Sequence, residues 1–364
     1  MSASISFARG APCPEALSGD LIGAATNAAL AGDATRILSY GTGHGYPPLR
    51  DHIAQSHGVS ADRVFITNGS LQGFVFLLDS MFGPGDILAV EAPTYDRALL
   101  QATLHGVEIL PVPVGDDGLE VDVLAAACAS GRVPKLVYTI PNFQNPSGAT
   151  LSLEKRKALV ALAEHHDFLI LEDDPYGLLR FEGAHLPSIE SLGGNERVIF
   201  TSSFSKTVAP GLRVGYIVAP SAIAAGLVAA ASRTYISPSL LAEAAIHHIV
   251  SEGRFAPNVE RVTGLMRERR DAMVEGLRHM PPGTRCNPPE GGFFLWLELP
   301  EPLNADALFD DAQAAGVQYV KGSDCFVGGG ERTLRLAYSG VSPTEIAQGM
   351  ERLGGVFNAA VAAV

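Results

Sequence analysis

Short apolar runs alternate with helical patterns through much of this chain, and no other feature constrains its fold as much. The runs lie at residues 64–67, 87–91, 107–112, 136–139, 168–172, 198–202 and 215–218, with helical patterns between them such as 121–129 and 153–165. They are short, β-branched and bounded by turn residues, as buried strands are. Strand–helix alternation predicts an α/β fold: a mostly parallel, seven-stranded sheet between helices, with ligands at the strands' C-terminal ends. A helical stretch at 240–278 then leads to strands at 291–299 and 333–338 in a smaller α+β unit. The expected division is a segment 1–38 packing on the small domain or a partner subunit, a large domain 39–255 and a small C-terminal domain 256–364.

The chemistry gathers at the strand ends. The run at 198–202 continues into Ser203-Phe-Ser-Lys206, with Arg213 seven residues after the lysine. Serine hydroxyls and a guanidinium fork suit a phosphate dianion. Lys206, flanked by Phe204, Val208 and Leu212, is placed to lose solvation, which lowers an amine's pKa and frees it for carbonyl chemistry. A phosphate anchor beside an activated amine points to a Schiff base with a phosphorylated aldehyde, pyridoxal phosphate. Other strand ends supply partners for a pyridine ring. Leu169-Ile-Leu-Glu-Asp-Asp-Pro-Tyr176 ends in carboxylates that can pair with a ring nitrogen, and Asn145-Pro146 offers an amide. Thr67-Asn-Gly-Ser70 opens a helix whose free N–H groups form a second phosphate element.

Rival readings fit less well. Ser203-Phe-Ser-Lys206 matches the S-x-x-K of serine β-lactamases, yet the companion S-D-N and K-T-G elements are missing, with only Ser323-Asp-Cys and Lys206-Thr-Val present. Gly41-x-Gly-x-Gly45 invites a dinucleotide reading, but no clean strand precedes it and Pro47-Pro48 is expected to interrupt the helix it requires.

With those motifs in view, the chain resembles the pyridoxal-phosphate enzymes of the aspartate-aminotransferase superfamily. It is most similar to the branch holding 2-aminoadipate and kynurenine aminotransferases and the MocR-type regulators. The resemblance runs from about Leu38 to Gly354 and rests on seven motifs in order. These are Tyr40 to Arg50, Thr67 to Ser70, Glu91 to Tyr95, Asn145 to Gly148, Glu172 to Tyr176, Ser203 to Arg213, and Leu334-Arg-Leu336. It implies fold type I and Lys206 as the Schiff-base lysine. Asp173 would face the ring nitrogen, Tyr176 and Asn145 the ring 3-oxygen, and Tyr95 the ring face. Ser70, Ser203, Ser205 and Arg213, with Gly69 and Leu71 at the helix start, would hold the phosphate. Arg335, with Asn145, would clamp a substrate α-carboxylate, and Tyr40 would reach the phosphate of a neighbouring subunit in a homodimer with shared sites. The implied reaction moves an amino group from an α-amino acid to a 2-oxo acid. A lyase, cyclase or elimination enzyme on the same scaffold is the alternative.

Departures from the branch lie mostly near the substrate side chain. Leu71 stands where a glutamine is usual, Lys321 where a proline is common, and the N-terminus is shorter by a few tens of residues. Arg9, Arg97 and Lys321 are the candidates for a second substrate carboxylate. The segment before the core motifs is too short for the DNA-binding domain of a regulator. A net charge of −13 disfavours a nucleic-acid surface. Cys13, Cys128, Cys286 and Cys325 lie far apart, which suggests reduced thiols of a cytoplasmic protein with neither zinc site nor disulfide framework. No apolar run reaches membrane-spanning length.

Overall fold

The computed structural model describes residues 4–193 and 196–363. Strands are β1 (Ile5–Ser6), β2 (Val64–Thr67), β3 (Ile87–Ala92), β4 (Glu108–Gly115), β5 (Gly118–Leu119), β6 (Leu136–Thr139), β7 (Leu169–Asp173), β8 (Val198–Ser203), β9 (Gly215–Val218), β10 (Phe294–Glu298), β11 (Val317–Gln318), β12 (Val320–Lys321) and β13 (Thr333–Ala337). Helices are α1 (Gly19–Ile37), α2 (Pro47–His57), α3 (Ser70–Met81), α4 (Asp96–Leu104), α5 (Val121–Ala129), α6 (Leu153–His166), α7 (Ser221–Thr234), α8 (Leu240–Ser251), α9 (Phe255–Gly276), α10 (Phe309–Ala314) and α11 (Pro343–Ala362).

The large sheet has the order β2-β9-β8-β7-β6-β3-β4-β5. Its centre is parallel, from β4 through β3, β6 and β7 to β8, and β9 runs against both β8 and β2. Every residue of β2 and β6 is buried, as expected of strands covered on both faces. The eighth strand, beyond the seven expected, is the two-residue β5 folded back on the end of β4. The small sheet is antiparallel, β10-β13-β12.

Three local expectations need correction. The helical stretch at 240–278 is two helices, because Gly253 turns the chain with φ at +71° between α8 and α9. Pro47-Pro48 does not interrupt a helix but starts α2, where a missing N–H costs nothing. The run at 107–112 is shifted to 108–115 and alternates buried Leu110 and Val112 with exposed Pro111 and Pro113 near the sheet edge. The N-terminal segment divides: β1 pairs in parallel with β11, while α1, begun by a Ser18 side-chain cap, packs along α8 of the large unit.

Where α8 meets the start of α2, a carboxylate is buried without a cation. Glu243 is 1% exposed and accepts from Tyr46 N–H, while its other oxygen, Oε1, has no hydrogen-bond partner among the described residues. Burial pushes its pKa up to about 8. A carboxyl raised in the folded state is least costly when protonated, so stability should fall as pH rises from the unfolded value near 4.5 through about 8. Glu243→Gln keeps an acceptor for Tyr46 and cannot ionise. Denaturant titrations should therefore show the variant gaining about 1 kcal/mol over the parent at pH 9, with the gap closing toward pH 5.

Candidate active site

The parallel strands end together at one edge of the sheet, and a cavity of ≈ 550 Å³ opens there. β7 delivers Asp173 and β8 delivers Ser203. Asp173 stands opposite Thr201 in the pairing register, so the turn after β8 places Ser205 and Lys206 beside it. Gly69, Ser70, Leu71, Tyr95, Asn145, Tyr176, Arg213 and Arg335 line the same cavity. Tyr40, expected to reach a neighbouring subunit's phosphate, is 90% exposed and is not among the residues lining this cavity.

The wall formed by α3 and the 203–213 turn is shaped for an anion. Gly69 adopts φ +91° just before the helix, and a Cβ there would lie 2.4 Å from Arg213 Nη2. A Cβ on Gly215 would lie 2.8 Å from Ser70 N. Both glycines therefore keep open the concave space facing the first N–H groups of α3. Ser203 Oγ donates to Ser205 Oγ at 2.9 Å, which sets the two hydroxyls side by side. Arg213 itself has φ +52° and donates from Nη2 to Asn68 O at 3.0 Å. Gln72 does not join this wall; its Oε1 accepts from Asn68 N–H at 2.8 Å and braces the turn from behind.

The opposite side holds buried charge. Asp173 Oδ2 accepts from Tyr138 Oη–H at 2.8 Å, while its buried Oδ1 has no hydrogen-bond partner among the described residues. Burial raises its carboxyl to about 7, against the Tyr138 hydrogen bond and the Lys206 charge, which lower it. Lys206 is lowered to about 8, first by burial and then by the Arg335 guanidinium. Its Nζ donates to Gly10 O at 2.8 Å and lies 5.8 Å from the Tyr176 ring centre. Burial likewise lifts Tyr95 to about 12 and Tyr176 higher still. Arg335 donates to Asn145 Oδ1 at 2.8 Å and to Ala8 O at 2.9 Å, and it rides 4.4 Å above the Phe294 ring. Its Nε is buried without a hydrogen-bond partner among the described residues. An amine, a carboxylate oxygen and a guanidinium thus share one cavity, with donors for an anion on the opposite wall.

Sequence reasoning missed several groups here. Tyr138 sits mid-strand, and only the β6–β7 pairing brings its hydroxyl to Asp173. The strap 8–10 reaches the site because Phe7 hydrogen-bonds to Gln318 and Ala337 across β11 and β13, contacts that no local pattern announces. Of the three candidates for a second carboxylate, Arg9 and Arg97 are exposed at the cavity wall. Lys321 lies over the Phe309 ring and is not among the lining residues.

Comparison with known proteins agrees with this geometry. The family model described as aminotransferase class I and II matches residues 4–353. Aromatic-amino-acid aminotransferase 1 of Thermococcus litoralis is 35% identical, covering 96% of this chain and 87% of its own. The 2-aminoadipate transaminase of Thermus thermophilus is 37% identical over 96% of this chain and 89% of its own. The solved α-aminoadipate aminotransferase of Thermus thermophilus, complexed with N-(5'-phosphopyridoxyl)-L-leucine, superposes with a TM-score of 0.94 at 36% identity, covering 100% of this chain and 94% of that one. Among the described residues no helix is long and apolar enough to cross a membrane. The chain belongs to the class I and II aminotransferases, the pyridoxal-phosphate-dependent family that its strand-end motifs resemble.

Proposed function

We propose that this chain transfers the amino group of an α-amino acid to a 2-oxo acid, with Lys206 as the residue that holds pyridoxal phosphate and moves the proton. One observation carries the reading: the lowered amine of Lys206, the unpaired Oδ1 of Asp173 and the guanidinium of Arg335 face a single cavity beside an anion cradle. The residues fit the cofactor. The Gly69–Leu71 helix start, Ser203, Ser205 and Arg213 suit its phosphate, and Asp173 Oδ1 is a buried acceptor in want of a cationic N–H. Tyr176 and Asn145 would donate to the ring oxygen and Tyr95 would lie against the ring, since all three line the cavity.

Pyridoxal phosphate, when bound, supplies an electron sink that acidifies the Cα–H of an attached amino acid. The protein's part is placement and proton handling. Arg335 and Asn145 hold the α-carboxylate, which fixes where the Cα–H bond points. Lys206 Nζ, largely neutral above pH 8, is the base for that proton. Asp173 as a carboxylate would keep the ring nitrogen of the bound cofactor protonated. The strap 8–10 and Phe294 wall the same space. Taken as the small domain, 256–364 contributes Arg335 to the cavity otherwise lined mostly by the large domain, 39–255.

The relatives' names support amino-acid substrates, and Tyr40, exposed on a loop against α7 and α8, suits contact with the phosphate of a partner subunit in a homodimer. Four free cysteines fit a reducing compartment such as the cytoplasm.

Borohydride reduction should fix the cofactor on the peptide carrying Lys206, as read by mass spectrometry. In Lys206→Ala the adduct should vanish and turnover should fall by on the order of 10²–10⁴-fold or more; a surviving adduct elsewhere would refute the assignment. Gly69→Ala sets a methyl group against Arg213, so cofactor titration should show affinity reduced about tenfold or more, one lost charge-assisted contact being sufficient. Sedimentation should find a dimer. Within it, Tyr40→Phe should weaken cofactor binding without dissociating the subunits, and a monomeric active enzyme would exclude the shared site.

A further inference from the structure

We infer that Glu91, at the end of β3, is a positioning residue for the carboxylate clamp, acting through Gln144 on Asn145. The inference rests on the aminotransferase reading above. Glu91 is 2% exposed and has no cationic partner among the described residues. Its two oxygens instead collect three hydrogen bonds from the end of β6 and the segment after it. Thr139 Oγ1–H donates to Oε1 at 2.6 Å, while Ile140 N–H and Gln144 Nε2 donate to Oε2 at 3.1 and 3.0 Å. Gln144, 1% exposed, then spends its remaining capacity inside the same corner. Its Nε2 also donates to Pro93 O at 2.8 Å, and its Oε1 accepts from Ser147 N–H at 2.8 Å.

The connectivity decides the role. On one side Glu91 and Pro93 lead directly to Tyr95; on the other, Thr139 to Ser147 bracket Asn145. The two segments are neighbours because β3 and β6 pair, yet that pairing ends at Val90 and Tyr138, before either functional residue. From there on, the hydrogen bonds of Glu91 and Gln144 hold them in register. Asn145 is the next residue after Gln144, and its Oδ1 accepts from Arg335 Nη1 at 2.8 Å. A shift of the Gln144 turn therefore moves the acceptor that orients the guanidinium. An apolar residue at position 91 would leave the Thr139 hydroxyl and Ile140 N–H without this acceptor and cut Gln144 Nε2 back to its bond with Pro93 O.

The clamp binds the α-carboxylate, which every amino-acid substrate shares. Loss of Glu91 should thus raise KM for all substrates alike, whatever their side chains. We expect Glu91→Ala to raise KM about tenfold for a small, an aromatic and an acidic amino acid, since ångström-scale misplacement of a binding group costs up to about 100-fold. With pyridoxal phosphate supplied in excess, cofactor content should stay at the parental level, because Lys206 and the phosphate wall are untouched. Glu91→Gln can accept from Ile140 N–H and Gln144 Nε2 and donate to Thr139 Oγ1, so its KM should stay within about threefold of the parent. Should Glu91→Ala not fold, Gln144→Met, which leaves Glu91 its contacts to Thr139 and Ile140, carries the same expectation. The inference is overturned if KM is unchanged while only thermal stability or the active fraction falls, or if Glu91→Gln is as impaired as Glu91→Ala. Absence of any amino transfer by the parent enzyme would instead defeat the functional reading beneath it.

Discussion

The parallel pairing of β7 with β8 is the contact on which the site depends. Parallel strands end at the same edge, so side chains leaving their last residues share one space. Asp173 closes β7 opposite Thr201, and two residues later β8 gives way to the turn carrying Ser205 and Lys206. A carboxylate and an amine from separate strands are thereby fixed on a rigid scaffold, with no flexible loop needed to bring them together. β9, running back against β8, closes the turn and returns Arg213 toward the start of α3.

The burial that gives this cavity its chemistry also makes it costly to build. Removing Lys206 from water lowers its pKa, and removing Asp173 raises its own, so desolvation drives both toward neutrality. Arg335 adds repulsion on Lys206, which Asp173 partly offsets. The protein steadies this arrangement with hydrogen bonds that stop short of neutralising the reactive atoms. Tyr138 takes one oxygen of Asp173 and leaves the other free, and Gly10 accepts from Lys206 through a neutral carbonyl. Behind them stand further buried carboxyls fed by backbone N–H groups. Glu172, raised to about 8 by burial, accepts from Ile189 and Glu190 N–H, and Glu91 serves the Asn145 turn. These outer groups hold the chain turns that aim the inner ones.

Much of the site was legible because each motif sits where periodicity breaks. An apolar run that stops at Glu172-Asp-Asp, or passes into Ser203-Phe-Ser-Lys206, announces both a strand end and the chemistry placed on it. Arg335 was legible only through the family resemblance of Leu334-Arg-Leu336; that its guanidinium meets Asn145 was visible only in the structure. Tyr138, Gly10 and Ala8 left no such mark. A tyrosine inside a strand reads as core, and a backbone carbonyl has no residue-type signature. Pro47-Pro48 was misjudged because proline excludes a helix interior but favours its first turn, and the local letters do not say which applies.

By itself the sequence determined the strand–helix alternation, the reactive residue types at the strand ends and therefore the cofactor chemistry and the family. Those depend on local spacing and on side-chain functional groups. Only the tertiary structure decided which oxygen of Asp173 stays free, which carbonyls occupy the donors of Lys206 and Arg335, and that Tyr40 turns outward from its own cavity. Each of these joins or separates residues far apart along the chain. Such relations are fixed by sheet register and packing, which no single stretch of sequence contains.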